Sequence, residues 1–204
     1  MNIKLLREKA CNKGNFLTPI DYINFAKEYL EFIGKGGNLQ AVIVSRNENH
    51  YQFLQYKDDA GFKVTRPLNS KLMYNFQDFE NKSAEFLKIL VDVRGNQSDE
   101  NREIINRTIY TAQQCIGAAL DALPPGKSNT ARKINGDLFE RFIREIISTT
   151  GISVVEGTIR VPVKIDDEVA FKMNYQHDLI IQLDAEVKAI GSVKTSSKDR
   201  IDNF

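Results

Sequence analysis

A run of turn-forming residues near the middle of the chain, Pro124-Pro125-Gly126-Lys127-Ser128-Asn129, most constrains how the chain can fold. Two prolines followed by glycine interrupt a helix or a strand, because proline fixes φ and has no amide hydrogen to donate. We place a domain boundary here, between a region at residues 1–125 and a second region at residues 126–204. With 204 residues and 42% hydrophobic content, the chain can form one domain, or a domain with a sizeable extension.

The first region is predicted to combine helices with a small sheet, in an α+β arrangement. Thr18 before Pro19 is typical of a helix start, and apolar residues then recur at helical spacing as far as Gly34. The pattern predicts strands at 39–45, 51–56 and 62–64, and further helices over 76–93 and about 98–123. No motif in this region indicates its role.

The second region is predicted to be a helix followed by meandering strands. An amphipathic helix runs from Asp137 to about Thr150 and ends at Gly151. A hairpin with its turn at Glu156-Gly157 follows, and the next strands are expected at 169–173, 178–183 and 187–195. This order is typical of an α/β core with a mixed sheet.

Charge, cysteine content and hydropathy exclude several classes of protein. The formal net charge is +1, so nucleic acid would have to be bound by a local basic patch and not by an overall positive field. Cys11 and Cys115 lie far apart and lack metal-ligand spacing, which favours a reduced, cytoplasmic setting. No apolar run is long enough to span a bilayer, and Met1-Asn2-Ile3-Lys4 does not begin a signal peptide. No membrane association is expected.

The pattern most informative about chemistry lies near the end of the sequence. Asp178 opens an apolar strand, and Lys194 lies on the strand that returns beside it. If residues 184–186 form the turn, antiparallel pairing places Asp178 opposite residues 192–194, with Ser192 and Lys194 on one face. A carboxylate and a lysine brought together in this way suit metal-dependent phosphodiester cleavage.

A second acid-and-lysine pattern is present in the same hairpin. Asp178 is also followed by Glu186-Val187-Lys188, which has the acid-x-lysine pattern of a nuclease motif. Glu186 and Lys188 would lie near the turn, away from Asp178, so strand geometry favours Lys194. Both alternatives stay open from the sequence alone.

Three local patterns resemble the PD-(D/E)XK nuclease superfamily, and more narrowly the type II restriction endonucleases that recognise CCGG, CCNGG or related sites. His177-Asp178 stands where the family has Pro-Asp, and Ser192-Val193-Lys194 resembles the subfamily's serine variant of the lysine motif. The stretch from Asn135 to Glu140 resembles the helix that bears an accessory metal-site glutamate. The resemblance covers roughly residues 128–203. It implies a restriction-endonuclease-like core, with a mixed sheet flanked by helices and incomplete at its C-terminal end.

The resemblance also implies a function. A homodimer would hydrolyse double-stranded DNA at a G/C-containing site with Mg²⁺, which Asp178 and Glu140 would hold beside a catalytic Lys194. Lys198 and Arg200 can donate to guanine and Asp199 can accept from cytosine, as base-reading residues do. Five basic residues are candidates for phosphate contacts, which position a protein on DNA without specifying sequence: Lys127, Arg132, Lys133, Arg141 and Arg144.

The serine variant leaves one carboxylate to be supplied from elsewhere. In the subfamily it comes from a glutamate on the following helix, and that position would lie beyond Phe204. We therefore expect the chain to be a fragment of a longer enzyme, and the sequence leaves open whether it is active in this form. The alternative is a non-catalytic DNA-binding or effector module with a degenerate nuclease core.

Overall fold

The computed structural model describes residues 2–34, 41–58, 61–184 and 187–195. The chain divides into two compact units, Met1–Leu138 and Phe139–Phe204. The division lies inside a helix, whereas the boundary predicted at residue 126 lies just before that helix begins. Whether residues 1–125 and 126–204 are separate functional domains stays a prediction.

Five α-helices are present in the described residues, and polar side chains define the start of several of them. Asn2, Asn75 and Ser98 each accept a hydrogen bond from a backbone amide three residues ahead, which satisfies one of the free amides of a first turn. The helices are α1 (Ile3–Cys11), α2 (Pro19–Gly34), α3 (Phe76–Val91), α4 (Asp99–Leu120) and α5 (Ser128–Thr149). The sequence pattern did not indicate α1.

Helix α5 begins nine residues before the predicted start at Asp137, so that prediction is wrong. The added residues are held by packing inside the first unit. Ala131 and Asn135 are buried there, and Gln113 donates a hydrogen bond to Asn135 Oδ1 at 3.1 Å. Because a buried asparagine is not part of an apolar stripe, the hydrophobic spacing did not indicate the first helical turns of α5.

The first unit contains an antiparallel sheet centred on one strand. Strand β2 (Tyr51–Asp58) pairs with β1 (Ala41–Arg46), with β3 (Gly61–Val64) and with the short β4 (Leu68–Asn69). The predicted three-strand meander is therefore present, with one further short strand. Helix α4 packs against α1, α2 and α3 in the same unit.

Buried tyrosines join the sheet of the first unit to its helices. The hydroxyl groups of Tyr29 and Tyr56 are hydrogen-bonded to each other, and Tyr56 Oη also donates to the carbonyl of Ala118 at 3.2 Å. Burial raises the pKa of both tyrosines far above the usual range, so both hydroxyls stay protonated and can donate. At the end of α4, Asp121 accepts hydrogen bonds from the backbone amide and the guanidinium of Arg66.

The second unit contains a three-stranded antiparallel sheet in the order β5-β6-β7: β5 (Val154–Ile165), β6 (Glu168–Gln182) and β7 (Lys188–Gly191). The predicted turn at Glu156-Gly157 is wrong, because β5 continues through it with only a bulge in the pairing. The chain reverses instead at Asp166 and Asp167, whose φ values are 50° and 63°. A two-residue hairpin loop needs this left-handed backbone, which aspartate tolerates better than most residues.

Two of the predicted strands are one strand in the structure. The stretches predicted at 169–173 and 178–183 form the continuous strand β6, because Asn174, Gln176 and His177 pair with β5 in spite of their polarity. Both described sheets are antiparallel, and the mixed α/β architecture is confirmed. Among the described residues, no helix combines the length and apolarity required to cross a membrane.

Candidate active site

The pairing of β6 with β7 decides which lysine lies near Asp178. Leu179 is opposite Gly191, and the register continues to Gln182 opposite Lys188. Residues 192–194 therefore return beside Asp178, as the strand geometry predicted. Lys188 lies at the other end of this pairing, and Glu186 falls outside the described residues.

One carboxylate oxygen of Asp178 collects three hydrogen bonds. Asp178 Oδ2 accepts from Ser192 Oγ at 2.8 Å, from the amide of Val193 at 2.8 Å and from Lys194 Nζ at 3.1 Å. The Asp178 side chain is only 16% exposed. Its other oxygen, Oδ1, accepts no hydrogen bond within the described part of the chain, so it can bind a ligand without displacing these donors.

These contacts keep Asp178 ionised. Burial raises the pKa of this carboxyl group, but the hydrogen bonds from Ser192, Val193 and Lys194, together with the positive charge of Lys194, outweigh burial. The net effect is a pKa below the usual value for aspartate. Asp178 is therefore a carboxylate at neutral pH, which is the form that binds a metal cation.

Lys194 also lies near a second carboxylate, on helix α5. Its Nζ atom is 3.7 Å from Glu140 Oε1 and 3.1 Å from Asp178 Oδ2. The lysine side chain is 38% exposed, more than either carboxylate. The three predicted catalytic residues thus form one carboxylate–ammonium–carboxylate cluster that solvent can reach.

Arg144, on the same helix as Glu140, contacts strands β5 and β6 in the structure. Arg144 follows Glu140 by one helical turn, and the sequence suggested a phosphate contact. In the structure its guanidinium is 2.8 Å from Glu156 Oε2 and donates to the backbone carbonyl of Asp178 at 3.4 Å. The Arg144 side chain is only 16% exposed. Arg144 therefore holds the acid-bearing strand β6 against α5, and no sequence pattern indicated this contact.

The structure leaves the remaining predicted DNA contacts untested. Arg132 and Lys133 are exposed on the part of α5 that belongs to the first unit. Lys198, Asp199 and Arg200 lie outside the described residues. Their proposed roles stay predictions.

The donor set suits Mg²⁺ rather than a metal held entirely by protein. Within the described part of the chain, no group of three or more His, Cys, Asp or Glu side chains is arranged to hold a metal ion. Mg²⁺ typically keeps several waters and binds through one or two carboxylates together with substrate phosphates. Asp178 and Glu140 supply two carboxylates, so the residues present fit that cation.

Comparison with known proteins identifies the fold. No protein-family model and no curated protein matches this chain. A crystal structure of the type IIP restriction endonuclease Kpn2I is similar to it, with a TM-score of 0.62 and 16% sequence identity. The fold is restriction-endonuclease-like. The similarity covers 98% of this chain, including the N-terminal region, and the chain spans 66% of the length of the Kpn2I chain.

Proposed function

We propose that this chain is a Mg²⁺-dependent, sequence-specific DNA endonuclease of the restriction type, or part of one, that hydrolyses phosphodiester bonds at a G/C-containing site. The observation that carries this proposal is the cluster of Asp178, Lys194 and Glu140. The similarity of the fold to a type IIP restriction endonuclease supports it. A cluster of two carboxylates and a lysine on an unrelated fold would support nuclease activity less strongly.

Each residue of the cluster has a distinct proposed role. Asp178 and Glu140 would hold Mg²⁺, which, when bound, acts as a Lewis acid toward the scissile phosphate and lowers the pKa of a bound water. Ser192 and the Val193 amide keep the Asp178 carboxylate ionised and oriented. Lys194 orients the attacking water and donates to the phosphate oxygens as negative charge develops on them.

DNA contacts and dimerisation complete the proposal. Lys198, Asp199 and Arg200 would read G·C base pairs in the major groove, since their side chains supply the matching donors and acceptor. Arg132 and Lys133 would contact phosphates. A homodimer would bring one cluster to each strand of a symmetric site.

One observation favours a second candidate, a DNA-binding or effector module without catalytic activity. Ser192 stands where the standard motif has an acid, and its hydroxyl donates to Asp178 rather than adding a third carboxylate. A cluster with two carboxylates is compatible with a degenerate centre that binds DNA without cutting it.

Incubation of the 204-residue chain with plasmid and phage DNA, in Mg²⁺ or in EDTA, tests the proposal. We expect discrete fragments only with Mg²⁺. Lys194→Ala and Asp178→Asn should each lower the cleavage rate by about 100-fold or more, since the first removes a cation that stabilises negative charge in the transition state and the second removes a carboxylate that would hold Mg²⁺. Lys188→Ala distinguishes the two motifs: cleavage should persist in it if Lys194 is catalytic, because Lys188 lies at the other end of the strand pairing from Asp178, and should be lost if the Glu186 and Lys188 motif is catalytic.

Two further results would decide against parts of the proposal. Loss of cleavage in Glu186→Ala, with Lys194→Ala unaffected, would assign catalysis to the Glu186 and Lys188 motif. Salt-dependent DNA binding without cleavage in Mg²⁺ would favour the non-catalytic module, because phosphate contacts make affinity fall as salt rises.

A further inference from the structure

Asp178 lies at an irregularity in the pairing of β5 with β6. Two residues of β6, Asp178 and Leu179, stand opposite the single residue Glu156 of β5. The regular pairs on either side of this bulge are Val155 with Ile180 and Gly157 with His177. A bulge bends the strand and changes the direction of its side chains, and bulges are frequent beside active sites for this reason. The orientation of the Asp178 carboxylate therefore depends on the groups that hold the bulge.

The guanidinium of Arg144, on helix α5, contacts both strands at this bulge. Its Nη1 atom donates to the backbone carbonyl of Asp178 at 3.4 Å, and its Nη2 atom lies 2.8 Å from Glu156 Oε2. A bulge disrupts the ladder of backbone hydrogen bonds locally, so contacts from outside the sheet contribute to its geometry. Because the donors of a guanidinium are fixed in one plane, a single side chain links the bulged residue to the residue opposite it.

Arg144 is shielded from solvent where it makes these contacts. Its side chain is 16% exposed, whereas that of Glu156 is 62% exposed. Leaving a shielded charge without partners is costly, so the guanidinium keeps its contact with the carbonyl of Asp178. This contact restrains the peptide group between Asp178 and Leu179. Since the direction of the Asp178 side chain follows from the backbone on either side of it, the restraint extends to the carboxylate.

We infer that Arg144 is a positioning residue for the Mg²⁺ site, an inference that rests on the proposed function. Arg144 and Glu140 lie one turn apart on the same helix. Helix α5 therefore carries one candidate metal ligand and, through Arg144, fixes the backbone of the other, Asp178. Both carboxylates are held in place before the metal binds, and groups that orient metal ligands in this way raise metal affinity.

A structural role and a positioning role of Arg144 predict different results. If Arg144 only holds β6 against α5, its removal lowers the free energy of unfolding and leaves the folded cluster unchanged. If it positions Asp178, its removal also weakens the hydrogen bonds that the carboxylate accepts. The backbone amide of Val193 detects this difference, since it donates to Asp178 Oδ2 at 2.8 Å.

NMR of the metal-free 204-residue chain compares the wild type with Arg144→Met, which keeps an unbranched side chain and removes its donors. We expect the amide proton of Val193 to shift upfield, because its charge-assisted hydrogen bond to Asp178 lengthens. Arg144→Lys should restore part of the shift, since an ammonium group still donates. Arg160→Met is the matched control: it removes an exposed arginine of β5, opposite Asn174 and away from the bulge, and should leave Val193 unchanged.

Titration of the same variants with Mg²⁺, followed by the amide resonances of Val193 and Lys194, measures binding without DNA. Arg144→Met should weaken Mg²⁺ binding by about tenfold or more, as loss of a group that orients a metal ligand typically does. Arg144→Lys should weaken it by less, and Arg160→Met should not change it. Cleavage by Arg144→Met should recover as the Mg²⁺ concentration is raised, because the groups that act on the phosphate are still present.

The outcomes separate this inference from the proposed function. An unchanged Val193 resonance or an unchanged Mg²⁺ affinity in folded Arg144→Met would overturn the positioning role and leave the nuclease proposal intact. Binding of Mg²⁺ that depends on Arg144, in a chain that cuts no DNA, would support the positioning role and count against nuclease activity. A wild-type chain that does not bind Mg²⁺ would overturn both.

Arg144→Lys keeps the inference testable if Arg144→Met does not fold. The lysine retains the positive charge but not the planar pair of donors, so it cannot contact the Asp178 carbonyl and Glu156 in the same geometry. Its Mg²⁺ affinity should therefore lie below that of the wild type. Equal affinity in the two chains would overturn the positioning role.

Discussion

The charge of Asp178 depends on a small number of donors that can be removed one at a time. Ser192→Ala removes the hydroxyl donor and Lys194→Met removes the ammonium group. Each change should raise the pKa of Asp178 toward the usual aspartate range, because the hydrogen bonds that favour the carboxylate are lost while burial remains. Carbon-13 NMR titration of the Asp178 carboxyl group measures this directly. An unchanged pKa in both variants would contradict the geometry.

The same residue sets a pH dependence of stability. Its folded-state pKa lies below the unfolded value, so the ionised form stabilises the folded state. This stabilisation is present above the unfolded pKa and is lost as pH falls through the folded pKa. Asp178→Asn should therefore be less stable than the wild type at neutral pH, by about 1–3 kcal/mol. The difference in urea unfolding free energy should shrink on acidification.

Arg144 connects elements, because its guanidinium joins α5 to both β5 and β6. Removing it leaves the carbonyl of Asp178 and the carboxylate of Glu156 without this donor, and Arg144 is far more buried than Glu156. Arg144→Ala should therefore lower the free energy of unfolding by about 1–3 kcal/mol. Glu156→Gln should change it by less than about 1 kcal/mol, as for exposed ion pairs. Urea titrations of both variants and of the double variant measure the coupling.

Helix α5 offers a matched pair of glycines with opposite expected effects. Gly136 lies inside the helix with open space where a Cβ would be placed, whereas Gly151 follows its end with φ of 82°. Gly136→Ala should stabilise the protein by about 0.5–1 kcal/mol, because alanine favours helix. Gly151→Ala should destabilise it by about 1–2 kcal/mol, because the left-handed backbone is strained for alanine. Thermal unfolding of the two variants measures these effects. Changes in unfolding temperature of the same sign in both variants would contradict the prediction.

At the scale of the whole molecule, the two cysteines report on opening of the first unit. Cys115 is fully buried in α4, and burial raises the pKa of its thiol well above the usual value. Cys11 is partly exposed. A thiol reagent should therefore label Cys11 in the native protein and Cys115 only as denaturant unfolds the unit. Rapid native labelling of Cys115 would show that the core around α4 opens readily.

The sequence alone determined helices α2, α3 and α4 and the short-range geometry of the candidate site. The hydrophobic spacing of α2, α3 and α4 and the cap at Ser98 are local signals, because i, i+3 and i+4 contacts lie within one helix. The position of Ser192 and Lys194 beside Asp178 follows from antiparallel pairing across a short turn. The motif resemblance added Glu140, which local spacing alone does not single out.

The tertiary structure decided features that depend on distant partners. The early start of α5 depends on burial of Asn135 beside Gln113, and the bulge in β5 depends on its pairing with β6, neither of which leaves a periodic pattern. The role of Arg144 became clear only when Glu156 and the carbonyl of Asp178 were seen beside it. A charged side chain on a helix has the same sequence signature whether it contacts solvent, a phosphate or a neighbouring strand. Only the fold supplies the partner that distinguishes these roles.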